Sequence, residues 1–155
     1  MDEKERQARY CFGCGSLNPQ GLHLDFQVEE GRVTATFTPE KEHQGFPGQM
    51  HGGLVVTLLD EAMGWCTLGQ KMWGVTAKMN VRFREPVPLY QPVTVSSAVE
   101  KDRRRWVVVR AEIRSAKGDI LAEADGIFMR VSGQRQRQFE EIYLPVFSPD
   151  GRFEP

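Results

Sequence analysis

The chain has 155 residues, 40% of them hydrophobic and 26% charged. That is enough for one domain with a real core, and it is unlike collagen, a disordered chain or a disulfide scaffold. Twenty Lys and Arg against 21 Asp and Glu leave a formal net charge of −1, so no global basic field gathers nucleic acid or an anionic membrane.

No apolar run approaches the ~20 residues of a membrane span, and the charged start Met1-Asp2-Glu3-Lys4-Glu5-Arg6 is unlike a signal peptide. The expectation is a cytoplasmic protein with neither nucleic acid nor membrane as partner. Three cysteines, an odd number in a chain without secretory features, predict free thiols in a reducing compartment and no disulfide.

Residues 1–10 form a polar lead, loose or helical. Cys11 to Gly21 is dense in Gly, Asn and Pro and reads as a loop. Leu22, Leu24, Phe26 and Val28 alternate with polar residues. After Glu30-Gly31, Val33, Ala35 and Phe37 alternate again, the pattern of a half-buried hairpin. A Pro-, Gly- and Gln-rich connection over 38–53 is long for a compact domain unless it serves a site. It leads into a helix from Gly53 to about Leu68 that is apolar nearly all round and therefore predicted to be buried. Strands follow at Val75 to Phe83, Val93 to Val99, Trp106 to Arg114 and, after the Lys117-Gly118-Asp119 turn, Ile120 to Val131. Residues 132–155 read as a polar tail whose Ile142, Tyr143, Leu144, Val146 and Phe147 lie across the body. The whole is one α+β domain over 1–155, with 1–21 as lead and 132–155 as tail. One antiparallel sheet wraps round a long central helix, the hot-dog arrangement.

Residues three and four apart share a helix face, so Gly53, Thr57, Asp60 and Gly64 form a small, polar, acidic stripe on an oily rod. Glycine at either end leaves a notch with Asp60 at its floor. A carboxylate placed there can activate water or attack a carbonyl; the structural alternative is a buried acid satisfied by a backbone or Arg partner. Glu61 lies about 100° round the helix and reads as an ion-pair partner.

At the start of the helix, Gly48-Gln49-Met50-His51-Gly52-Gly53 offers free first-turn N–H groups that stabilise negative charge and glycines that let a ligand approach. His51 reads as a positioning or capping residue. Gly53 and Asp60 are seven residues apart, a rise of about 10.5 Å, too far to serve one reacting carbonyl. A two-fold dimer that sets the Gly53 end of one helix against Asp60 of the other solves this and predicts an obligate homodimer.

His51-Gly52-Gly53 with an acid nine positions after the His, together with Thr57-Leu58-Leu59-Asp60-Glu61-Ala62 and Val75-Thr76-Ala77-Lys78-Met79-Asn80, resembles the hot-dog-fold acyl-CoA thioesterases of the phenylacetate-degradation type, over about residues 11–131. The resemblance implies Asp60 as general base or nucleophile, Gly53 as the oxyanion-hole amide, Thr76 as the hydroxyl that holds the water, and His51 close to the thioester. It also implies dimers or pairs of dimers. One departure stands out: many relatives carry Asn six residues before the motif His, where this chain has Gly45, with Gln44 and Gln49 as substitutes nearby.

Gly52, Asn80, Arg82, Arg84, Arg103 and Arg104 are candidate contacts for the substrate, the arginines for the phosphates of coenzyme A. Met50, Met63, Met72, Met79, Phe46, Trp65 and Trp73 are read as core or acyl-pocket lining. Cys11-x-x-Cys14 has the spacing of half a zinc site, but the sequence shows no second Cys pair, so no metal and no cofactor is expected. The expected activity is hydrolysis of an acyl-CoA thioester. A hydroxyacyl-thioester dehydratase, suggested by Gly45-Phe46-Pro47-Gly48, and a non-catalytic acyl-CoA binding module are the alternatives.

Overall fold

The computed structural model describes residues 1–146. The short helix α1 (Glu3–Ala8) is closed by a capping box: Asp2 Oδ1 accepts the Glu5 N–H at 2.9 Å while the Asp2 N–H donates to Glu5 Oε2 at 3.1 Å. The strands are β1 (Gln27–Glu29), β2 (Arg32–Phe37), β3 (Gly74–Phe83), β4 (Val93–Asp102), β5 (Trp106–Ser115) and β6 (Ile120–Arg130). They form one six-stranded sheet in the order β1-β2-β4-β5-β6-β3, with antiparallel pairing throughout. Helix α2 (Gly52–Gly69) links β2 to β3 at the far edge and packs against the sheet from β2 to β3. This is the hot-dog fold.

Leu58, Leu59, Ala62 and Met63 of α2 are fully buried against Val33, Val95, Val109, Ile113 and Phe128 of the sheet. One buried polar contact locks the helix onto the sheet: Ser97 Oγ donates to the Ala62 carbonyl at 2.6 Å. The other side of α2, from Gly53 through Thr57 and Asp60 to Gly64, is only partly covered by the chain itself. No helix among the described residues is long and apolar enough to cross a membrane.

Two expectations are corrected. The first strand is shorter than its alternation implies, Gln27–Glu29 instead of Leu22 to Val28. Leu22, Leu24 and Phe26 are buried as expected. However, the N–H groups of Leu22 and Leu24 bond to Phe12 and Gly13 of the cysteine loop, and His23 has φ +50, so this stretch does not join the sheet. The tail is also not a simple strap. Residues Gly133–Tyr143 form helix α3, followed by a 3-10 turn over Leu144–Val146. Its Gln, Arg and Glu are good helix formers. Phe139 and Tyr143, one turn apart, meet Trp73 with ring centroids at 6.1 and 5.9 Å. Lys4 of α1 pairs with Glu141 at 2.7 Å. Val146 is buried, Leu144 is exposed, and Phe147 lies outside the described residues.

Leu58→Ala, which empties the centre of the helix–sheet core, is expected to cost about 2–5 kcal/mol, whereas Thr76→Val on the exposed edge strand should cost less than about 1.5 kcal/mol. Urea unfolding of the two variants checks both.

Candidate active site

The motif glycines sit where the long connection turns into α2. Gly45 N–H donates to the Gln49 carbonyl at 2.9 Å and Gln44 Oε1 accepts the Gly48 N–H at 3.0 Å, folding the connection onto itself. A Cβ on Gly45 would stand 2.9 Å from His51 Cα, which is a packing reason for glycine where relatives of the resembled type carry Asn. Gln44 is held in this turn by its bond to Gly48. Phe46, read as core or pocket lining, is 80% exposed, while Met50, Met63, Met72 and Trp65 are buried.

His51 is the N-cap of α2, and its Nδ1 accepts the Gly53 N–H at 2.9 Å. The expected free oxyanion donor at Gly53 is therefore closed by the motif's own histidine. Side chains two positions apart across an N-cap reach back to the first turn, a geometry that the count of glycines does not reveal. The His51 side of this contact is exposed, as are Gly52 and Gly53. One turn on, Thr57 Oγ1 donates to the Gly53 carbonyl at 2.9 Å.

Asp60 and Thr76 are brought together: Thr76 Oγ1 donates to Asp60 Oδ1 at 2.8 Å, joining α2 to β3 across 16 residues of sequence. Thr76 pairs in register with Phe128 of the core, so it faces the helix. The register then shifts between Thr76 and Lys78, at Ala77. Beyond the bulge the alternation is reversed. Met79 and Val81 turn to the core, and Asn80, Arg82 and Arg84 turn to the opposite face of the sheet. There Asn80 Nδ2 donates to Asp125 Oδ2 at 2.9 Å, and Arg84 pairs with Glu123 at 2.7 Å, with Arg82 at 3.9 Å from the same carboxylate. The structure therefore does not gather Asn80, Arg82 and Arg84 with Asp60. Arg82 and Arg84, expected at the coenzyme A phosphates, are already paired with Glu123 of β6, and the bulge that puts them there has no sequence signature. Arg103 lies in the β4–β5 turn, its N–H on the Trp106 carbonyl. Arg104 lines a separate basic cleft with Lys71, Arg105 and Arg130, beside Trp73 and Gln136; Arg130 is paired with Asp102.

The neighbouring acid has a different fate. Glu61 points away from the stripe into a cavity lined by Cys11, Cys14, Gly64, Trp65, Trp73 and Tyr143. Its partner there is a thiol: Cys11 Sγ lies 3.4 Å from Glu61 Oε1. Burial first, then the neighbouring Cys11 charge, pushes the Glu61 carboxyl up to about 7. The Cys11 thiol is drawn down to about 5, chiefly by hydrogen bonding with Cys14, and the Cys14 thiol is pushed up. The sequence reads Glu61 as an ion-pair partner and Cys11-x-x-Cys14 as half a zinc site without a second Cys pair, and does not join the two. A signal was available in the 100° step between adjacent helix residues, which sends two consecutive acids to two different surfaces.

A side chain at Gly13 would place its Cβ 2.5 Å from Glu61 Cδ. Gly13→Ala is therefore expected to destabilise the fold by about 1–3 kcal/mol. Much of that loss should disappear in the Gly13→Ala/Glu61→Ala pair, a coupling that a double-mutant cycle by chemical denaturation measures.

Comparison with known proteins bears on this geometry. A profile described as the thioesterase superfamily matches residues 47–122, the stretch from the glycine turn through β6's beginning. The acyl-coenzyme A thioesterase THEM4 of Bos taurus is 34% identical over 120 residues, covering 74% of this chain and 49% of that protein. The chain spans about half the length of this and the mouse and rat THEM4 relatives it also matches. Among solved structures, a thioesterase superfamily protein superposes with a TM-score of 0.75 at 28% identity, over 78% of this chain and 60% of that one. The E. coli PaaI protein from the phenylacetic acid degradation operon shares the fold, with a TM-score of 0.68 at 22% identity over 72% of this chain and 82% of its own. With its glycine turn, its acid on the central helix and its sheet all inside or adjoining the matched stretch, the chain belongs to the thioesterase superfamily.

Proposed function

We propose that this protein hydrolyses acyl-CoA thioesters. The observation that carries the reading is the 2.8 Å hydrogen bond from Thr76 Oγ1 to Asp60 Oδ1. It fixes one carboxylate oxygen and leaves Oδ2 to take a proton from a water whose second hydrogen points at the Thr76 oxygen. The name of the bovine relative, acyl-coenzyme A thioesterase, supports the substrate class. In this mechanism Asp60 takes the water proton as the water oxygen bonds to the thioester carbon. The carbonyl oxygen becomes negative and is held by the Gly53 N–H after the exposed His51 ring swings off it. Collapse breaks the C–S bond, and the coenzyme A thiolate receives the proton from Asp60.

Gly53 and Asp60 of one helix are too far apart to serve one carbonyl, so the site is completed by a second copy. Supporting this, β3 ends the sheet with an unpaired edge, its Thr76, Lys78, Asn80, Arg82 and Phe83 exposed, and the Gly53–Gly64 side of α2 is partly open beside it. A homodimer pairing β3 with β3, and two such dimers associating, is the assembly this favours. Arg104, with Lys71 and Arg105 in the basic cleft, is the part of the expected arginine set suited to the coenzyme A phosphates. The free thiols Cys11, Cys14 and Cys66 favour a reducing, cytoplasmic setting.

Asp60→Asn is expected to lower kcat about 10²–10⁴-fold, and Thr76→Val about 10–100-fold, the value of one hydrogen bond to a charged group. Free-thiol release from a panel of acyl-CoA esters reads both. Saturable binding without thiol release from any ester would leave a binding module, and release of water from a hydroxyacyl ester in place of thiol would leave a dehydratase. The shared site has its own test. Asp60→Asn and Gly53→Val, each inactive alone, should regain about one quarter of wild-type activity when unfolded together and refolded, because random pairing makes half the dimers mixed, each with one intact site. No recovery in mixed dimers would place the whole site within one chain.

A further inference from the structure

Outside the Asp60 site, the N-terminal loop brings two thiols and a carboxylate to one point. The donor atoms of Cys11, Cys14 and Glu61 all lie within 4.8 Å of one another, at one wall of a cavity of about 220 Å³ bounded by the aromatic side chains of α2, α3 and the start of β3. We propose that Cys11, Cys14 and Glu61 form a binding site for a thiophilic divalent cation, zinc(II) being the one whose bond lengths they fit.

Four observations support it. First, zinc–sulfur bonds of about 2.3 Å and zinc–oxygen bonds of about 2.1 Å at tetrahedral angles put a sulfur and an oxygen ligand about 3.6 Å apart. Cys11 Sγ and Glu61 Oε1 already stand 3.4 Å apart, and the remaining span closes by a side-chain adjustment of about 1 Å. Second, the loop is wound as a metal-gripping turn. The Gly15 N–H returns to the Cys11 carbonyl at 2.9 Å, and the backbone N–H groups of Gly13 and Cys14 face the Cys11 sulfur. Such donors orient a thiolate and support its charge. Third, the loop backbone lies directly on the carboxylate, a Cβ at position 13 standing 2.5 Å from Glu61 Cδ, so the two thiols and the acid are packed together. Fourth, the chemistry of the set suits a cation: two thiolates and a carboxylate around a dication compensate one another's charge. A water or the Tyr143 hydroxyl, which lines the same cavity, has room to complete four-coordination.

Thiolates and a carboxylate bind the cation only when deprotonated, so protons compete with it and affinity falls with acid. The bound ion ties the Cys11–Gly21 loop to α2 one residue from Asp60, independently of what Asp60 does. The test uses the full chain, reduced, stripped with a chelator and reloaded. Wild-type protein should take up one zinc(II) per chain, rise in Tm on loading, and with cobalt(II) show intense thiolate-to-metal charge transfer in the near ultraviolet. Cys11→Ser and Glu61→Gln should each weaken binding at least about tenfold, Cys11→Ser should lose most of the charge-transfer intensity, and Cys66→Ser should leave both unchanged. Because Cys14 is buried, its part is read on wild-type protein: zinc should slow alkylation of Cys11 and Cys14 but not of Cys66. Substoichiometric uptake, a cobalt complex without sulfur charge transfer, unprotected Cys11 and Cys14, or a Cys66-dependent signal would each overturn the proposal, whether or not the protein hydrolyses thioesters.

Discussion

Consecutive residues of an α-helix point about 100° apart, and in this protein that step separates two chemistries carried by neighbouring acids. Asp60 faces the partly open stripe and receives the Thr76 hydroxyl. Glu61 faces the cavity where the cysteine loop folds over. Both directions are rigid because the remaining faces of α2 are clamped: Leu58, Leu59, Ala62 and Met63 are fully enclosed by the sheet, and Ser97 pins the Ala62 carbonyl between them. A rotation of the helix that moved either carboxylate would break this packing along its whole length.

The edge of the sheet is set by a comparably small feature. One extra residue at Ala77 turns Thr76 toward the helix and every charged residue after it toward the other side. Without that bulge, strict alternation would place Lys78, Asn80 and Arg82 on the helix-facing side together with Thr76. The fold thus presents a single hydroxyl to Asp60 and assigns the following arginines to Glu123.

The architecture also divides by origin along the chain. The stretch from Pro47 to Ala122 that matches the superfamily carries His51, Gly53, Asp60 and Thr76. The thiol-lined cavity draws its cysteines from before that stretch and Phe139 and Tyr143 from after it, and only α2, Trp73 and Gly74 from within. Helices α1 and α3 meet through the Lys4–Glu141 pair, and Trp73 stacks against α3. The two ends of the described chain therefore form one collar beside the central helix, and the acid next to Asp60 is the point where collar and superfamily core touch.

Sequence patterning alone determined the helix, five of the strands nearly to their ends and the hot-dog arrangement, because amphipathic period and strand alternation are local properties written in adjacent residues. What only the tertiary structure decided were the features that depend on which atoms arrive from elsewhere. A bulge reverses the face of Asn80, Arg82 and Arg84. The Gln- and Arg-rich helix docks on Trp73 through Phe139 and Tyr143, and Glu61 finds Cys11 fifty residues away. Each is a long-range contact or a one-residue register choice. Periodicity states which face a residue takes on its own element, and says nothing of what will be packed against that face.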